Sequence, residues 1–250
     1  MNIKNFYFEK YGNGKKVLII LPGWGDNRNT FDFYINSLKD KFTIYIFDYP
    51  GFGKSKFPNK DLTIDDYAYY IDKFIKKNNI NNPYILCHSF GCRISIILIS
   101  KYRILVDRLI IIGGAGIRRK SIKRFFRSLK YKLLKKLSFF LTSNKKELYL
   151  KKLFNKYSSN DYRNLNDNMK KTFRNIINKD LRKELKYICC PTLLIFGEKD
   201  TETPLKDGII MNKKIPNSGL ITIKKGTHFV YLEYPFYILK IILEFFNTQY

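Results

Sequence analysis

Short apolar runs alternate with stretches of helical spacing through the first half of the chain. "KVLIILP" (16–22) is a buried-type strand that stops at Pro22-Gly23, and "FTIYIFDYPG" (42–51) is the next, with a helix expected near 29–39 between them. In "TIDDYAYYIDKFIKKNN" (63–79), Ile64, Tyr67, Ile71, Phe74 and Ile75 fall on one helical face, and Thr63 stands at the N-cap. "YILCH" (84–88), a helix from Ser89 to about Lys101, and "RLIIIGG" (108–114) continue the alternation. Nearly continuous apolar strands joined through helices predict an α/β fold, with a mostly parallel sheet covered on both faces.

The pattern then breaks. From 117 to about 188 no strand is predicted, only basic amphipathic helix. Ile122, Phe125, Phe126, Leu129, Leu133, Leu137 and Phe140 form a stripe at steps of three and four. The alternation resumes with "CPTLLIFGEKD" (190–200), a helix near 205–214, "LITIKKGTH" (220–228) and a last helix near 235–247. The predicted organisation is one α/β core, 1–116 with 191–250, interrupted by a helical insert at 117–190. A chain of 250 residues, 45% of them hydrophobic, is long enough to bury such a core.

Charge changes the picture of the insert. Of a net +26, the segment from Arg118 to Lys186 carries 23 Lys/Arg against 5 Asp/Glu. That concentration fits a basic face for an acidic partner or an anionic surface. It equally fits a Lys-, Asn- and Ile-heavy composition expressed on solvated helices. Nucleic acid is not the expected partner, because no recognisable binding module accompanies the charge. The four cysteines (Cys87, Cys92, Cys189 and Cys190) have neither disulfide-framework nor zinc spacing, so a cytoplasmic setting is expected. The N-terminus lacks a signal-peptide run, and no apolar stretch is long enough to span a bilayer.

Candidate chemistry gathers at the strand ends. Cys87-His88-Ser89-Phe90-Gly91 lies between a strand and a helix, with small residues two before and two after the serine. Such a turn exposes a serine at its tip. A serine hydroxyl is a weak nucleophile until a base takes its proton. Only two histidines are present. His88 adjoins Ser89, and neighbouring side chains at a strand end point apart. His228, after the last strand, is therefore the base. It needs a carboxylate to fix its tautomer. The loop "GEKDTETP" (197–204) supplies Asp200, with Glu198 and Glu202 as rivals. The oxyanion requires preorganised donors. The N–H of Phe90 and that of Trp24, between Gly23 and Gly25, are the candidates. Gly53-Lys54-Ser55 is not a phosphate-binding loop, since the required upstream glycine falls on Asp48. No cofactor and no catalytic metal are expected.

These motifs resemble those of the α/β-hydrolase superfamily over nearly the whole chain. "LPGWG" is similar to its oxyanion segment, with Pro22-Gly23 where His-Gly is commoner, and "FDYPGFGKS" (47–55) to its Asp-x-Pro-Gly-x-Gly-x-Ser signature. "CHSFG" resembles its nucleophile elbow, "GEKDTETP" its acid loop and "GTHFVYLEYP" its histidine loop. The resemblance implies an eight-stranded, mostly parallel sheet, helices on both faces and a helical cap inserted after strand 6. It implies a serine hydrolase acting on a carboxylic ester through Ser89, Asp200 and His228. The Gly-Trp-Gly loop with "DYPGFGKS" is most similar to pimeloyl-carrier-protein methyl ester esterases, which use a basic cap to hold an acidic carrier protein. A thioesterase or carbon–carbon bond hydrolase would use the same triad, because cap and pocket choose the substrate. A non-catalytic binding protein on this fold is the alternative from another class. Contact of 121–141 with an anionic membrane surface is a lesser one. Oligomeric state leaves no signal in the sequence.

Overall fold

The computed structural model describes residues 6–26, 28–119, 130–131, 133–136, 138, 143–157, 165 and 167–248. Seven strands form one sheet: β1 (Tyr7–Tyr11), β2 (Lys16–Leu21), β3 (Phe42–Asp48), β4 (Tyr84–His88), β5 (Arg108–Ile112), β6 (Thr192–Gly197) and β7 (Ser218–Ile223). Their order is β1-β3-β2-β4-β5-β6-β7, with every neighbouring pair parallel except β1–β3. The sheet thus has seven strands among the described residues, not eight. Only Gly12–Lys15 separate β1 from β2, which leaves no length for another strand between them.

Alternation along the central strands builds the two layers. Ile19 and Leu21, Ile85 and Cys87, Leu109 and Ile111, and Leu194 and Phe196 face one core. Their chain neighbours Leu18 and Ile20, Tyr84 and Leu86, Ile110 and Ile112, and Leu193 and Ile195 face the other. The first core is closed by α2 (Ile64–Lys77), α3 (Phe90–Ser100) and α6 (Leu205–Lys214). The second is closed by α1 (Asp32–Leu38) and α8 (Pro235–Asn247). Between them α4 (Ser143–Tyr157) and α5 (Asp167–Asn178) fall in the segment joining β5 to β6, and the short α7 (Val230–Glu233) precedes α8. Burying both sheet faces explains why strands β4, β5 and β6 are apolar without a polar side.

Two local details match the sequence pattern. Thr63 caps α2 through a reciprocal bond with Asp66, which satisfies N–H groups the helix cannot pair internally. Helix α3 is buried along its whole length, so it lacks the polar face of a surface helix. The predicted stripe at 122–140 lies mostly outside the described residues. No helix among the described residues is long and apolar enough to cross a membrane.

Candidate active site

Parallel strands place their C-terminal ends along one edge, where the connecting loops meet. Ser89 follows β4 directly and takes φ 46° and ψ −107°, a left-handed conformation that costs a serine about 1–3 kcal/mol. The next turn is packed so tightly that a Cβ on Gly91 would lie 2.0 Å from the carbonyl oxygen of Leu21. This close approach sets the elbow against the end of β2, immediately before Trp24. The rings of Trp24 and Phe90 meet edge-on at 5.3 Å. Neither main-chain N–H of these two residues donates a hydrogen bond among the described residues.

Asp200, after β6, is 4% exposed. Its Oδ1 accepts the N–H groups of Glu202 and Thr203, each at 2.8 Å. Its Oδ2 accepts the Thr203 hydroxyl at 2.8 Å and lies 2.7 Å from Nδ1 of His228. Burial would raise the Asp200 pKa, but the hydrogen bond and charge of His228 and the bonds from Thr203 outweigh it and hold it below the usual carboxylate value. Because a carboxylate only accepts, His228 donates from Nδ1, which leaves the Nε2 lone pair to receive a proton. Of the rival acids, Glu198 accepts the N–H of Lys225 and Glu202 is exposed. The structure brings Asp200, and neither glutamate, to His228.

Gly113, just past β5, joins the parts. The Ser89 N–H donates to Ile112 O at 3.1 Å, and Ala115 N–H donates to Ser89 O at 3.1 Å. Gly113 N–H donates to Ile195 O, and Gly113 O accepts the Thr203 hydroxyl at 2.8 Å. Its φ of +52° would strain any L side chain, and a Cβ there would lie only 3.2 Å from His228 Nδ1. Ser89 and His228 therefore flank the same glycine. No direct hydrogen bond links the Ser89 hydroxyl to His228 among the described residues; such bonds often tighten only when substrate binds.

A family model described as alpha/beta hydrolase fold matches residues 16–235. The chain belongs to the α/β-hydrolase fold family. It is similar to the pimeloyl-[acyl-carrier protein] methyl ester esterase of Wigglesworthia glossinidia brevipalpis, 28% identical over 264 residues that cover 97% of this chain and 98% of that protein. The enzyme of the same name from Proteus mirabilis (strain HI4320) is 24% identical, covering 93% of each. Among solved structures, an esterase from Exiguobacterium antarcticum superposes with a TM-score of 0.75 at 20% identity, covering 97% of this chain and 96% of its own.

Within this α/β-hydrolase, residues that sequence reasoning passed over stand close around the predicted set. Thr203 Oγ1 lies 3.1 Å from His228 Nδ1 besides contacting Asp200 and Gly113. His88, set aside as a base, has its ring centroid 4.7 Å from that of His228. Its partners are Asp26 and the His228 main chain. Cys92, one turn past Ser89, is fully buried, and desolvation pushes its thiol well above the ordinary value, which makes it a packing residue and not a nucleophile. Among the described residues no group of three or more His, Cys, Asp or Glu could hold a metal ion.

Proposed function

We propose that this protein is a serine esterase that cleaves a carboxylic ester through an acyl-Ser89 intermediate. His228 Nε2 takes the Ser89 proton as the oxygen attacks the ester carbonyl. Asp200 keeps the imidazole in the Nδ1–H tautomer and stabilises the imidazolium. The N–H groups of Trp24 and Phe90 hold the oxyanion. His228 then protonates the departing alcohol, activates a water molecule and returns its proton to Ser89 as the acid leaves. The observation that carries this reading is the buried Asp200–His228 pair beside a strained serine at the same sheet edge.

Residues 117–190 are proposed as a cap over the core formed by 1–116 and 191–250. Its entry runs beside its last part: Leu181 N–H donates to Gly116 O at 2.9 Å and Arg182 to Arg118 O at 3.3 Å. From α5, Phe173 packs edge-on against Trp24 at 5.2 Å, and Thr172 Oγ1 accepts the N–H of Leu62. Buried Arg93 of α3 donates to Ile176 O and Lys179 O at the end of α5, and desolvation pulls its pKa down to about 10. Trp24 thus meets Phe52 of the core on one side and Phe173 of the proposed cap on another, an aromatic cluster where the two parts join.

The acyl group is proposed to arrive on an acidic carrier protein, as a methyl ester. The names of the relatives and the basic segment from Arg118 to Lys186 support this. Turnover of short p-nitrophenyl esters, thioesters, diketones and a carrier-linked methyl ester, each with Ser89→Ala alongside, tests the reading. Ester turnover lost in the alanine variant is the expected result. Equal turnover by both forms, or turnover of thioester or diketone alone, would overturn it.

A further inference from the structure

His88 is 1% exposed, and both of its ring nitrogens face oxygen. Nε2 lies 3.1 Å from the main-chain oxygen of His228, and Nδ1 lies 3.3 Å from Oδ2 of Asp26. A main-chain carbonyl only accepts, so Nε2 carries hydrogen. Nδ1 then confronts a carboxylate that also only accepts. A neutral imidazole beside an ionised Asp26 leaves one pair of lone pairs opposed, whichever tautomer it adopts. One more proton removes the conflict, as an imidazolium–carboxylate pair or as a carboxyl group donating to Nδ1.

The two partners of His88 belong to different loops. Asp26 closes the turn after β2 that carries Trp24, with its N–H on Gly23 O at 3.4 Å. His228 belongs to the loop after β7. His88 therefore spans from the loop that carries Trp24 to the loop that carries His228. We infer that His88 and Asp26 share one proton at rest and form a positioning strut that fixes Trp24 relative to His228. This rests on the esterase reading for its catalytic consequence, though not for the proton itself.

The surroundings supply the other groups that feel this proton. The Tyr231 hydroxyl from α7 donates to Asp26 Oδ2 at 3.5 Å, and burial raises the Tyr231 pKa far above the ordinary range. Tyr49, after β3, is fully buried and its pKa is raised by desolvation first, with Asp26 a further contributor. The His228 ring stands 4.7 Å away. Burial lowers the proton affinity of the His88 ring itself, despite the opposing pull of Asp26. Loss of the proton as pH rises sets the lone pairs against each other and pushes the two loops apart, so turnover falls on the high-pH side of its profile.

Asp26→Asn gives a sharp test, because an amide N–H can donate to Nδ1 of a neutral His88 at any pH. Turnover by D26N should keep its value near neutrality and lose the high-pH fall. His88→Phe should lower kcat about 10²-fold with KM little changed, the scale set by a displacement of about 1 Å. The same high-pH fall in D26N as in the unsubstituted protein would overturn the inference. The proton is also read without turnover. The chain has two histidines, so His228→Ala leaves His88 as the only imidazole for nitrogen NMR. Nε2–H with Nδ1 protonated or accepting a hydrogen bond, responsive to pH in the unsubstituted Asp26 background and fixed in D26N, is the expected spectrum. An Nδ1 signal of a free lone pair, unmoved by D26N, would end the case. Inactivity of every form with this spectrum intact would sink the esterase reading and leave the shared proton standing.

Discussion

His228 Nδ1 lies 2.7 Å from Oδ2 of Asp200, a contact made between buried side chains from the loops after β7 and β6. An amide in place of the carboxylate can present N–H to Nδ1 and so favour the wrong imidazole tautomer. Asp200→Asn should therefore lower kcat by about 10⁴-fold with the fold intact. Glu198→Gln and Glu202→Gln, which touch neither histidine, should stay within about twofold of the unsubstituted protein. Steady-state kinetics on one ester substrate checks all three. A large loss in either glutamate variant together with an active D200N would move the acid elsewhere in the loop.

Thr203 holds this pair from one side. Its hydroxyl has a single proton to give, to Gly113 O or to Asp200 Oδ2, and its lone pairs face the Nδ1–H of His228. Removing the hydroxyl leaves the buried Gly113 carbonyl or the Asp200 carboxylate short of a partner, and frees the imidazole to rotate. Thr203→Val should cost about tenfold in kcat, the equivalent of one buried hydrogen bond. Thr203→Ser should recover most of it. Loss in Thr203→Ser with none in Thr203→Val would mean that methyl packing, not the hydroxyl, holds the site.

Gly91 makes a prediction about the elbow. A methyl group there meets Leu21 O at 2.0 Å, Leu21 C at 2.6 Å and Pro22 O at 2.8 Å. All three are main-chain atoms at the end of a core strand, which cannot step aside as a side chain can. Gly91→Ala should destabilise the protein by about 3 kcal/mol or more. Cys87→Ala, a small deletion at the other end of the pentapeptide, should cost about 1 kcal/mol. Denaturant unfolding of the two variants compares them directly; similar midpoints would show that the elbow has slack.

The same pentapeptide shows why so much was legible in the sequence. A central strand must be apolar on both faces, a tight elbow must have small residues two before and two after its serine, and the order of strand ends fixes which loops meet. Those constraints fall on side-chain identity. What escaped falls on the main chain. Thr203, His88 and Gly113 are tied to carbonyl oxygens and to close backbone approach, and a carbonyl has no residue type to read. Strand β1 escaped for another reason. As an edge strand it alternates Tyr7, Glu9 and Tyr11 with Phe8 and Lys10, a pattern too short and polar to stand out.

Glu9 on that edge strand gives a stability prediction with a defined pH window. Its carboxylate accepts the Tyr7 hydroxyl at 2.7 Å, the Tyr11 hydroxyl and Lys54 Nζ at 3.0 Å, with Arg28 Nε at 3.1 Å. Burial would raise its pKa, but the bonds from Tyr11, Tyr7 and Lys54 and the charge of Arg28 prevail and bring it to about 2, against an ordinary 4.5. A folded-state pKa below the unfolded value means stabilisation that is complete above 4.5 and lost as pH falls toward 2. Solvent screening of the two basic partners limits the effect to about 1 kcal/mol. Glu9→Gln should therefore melt below the unsubstituted protein at neutral pH, and the two melting temperatures should converge as the solution is acidified through that window. A gap that stays constant down to about pH 3 would assign the loss to packing of the β1 edge instead of the charge on Glu9.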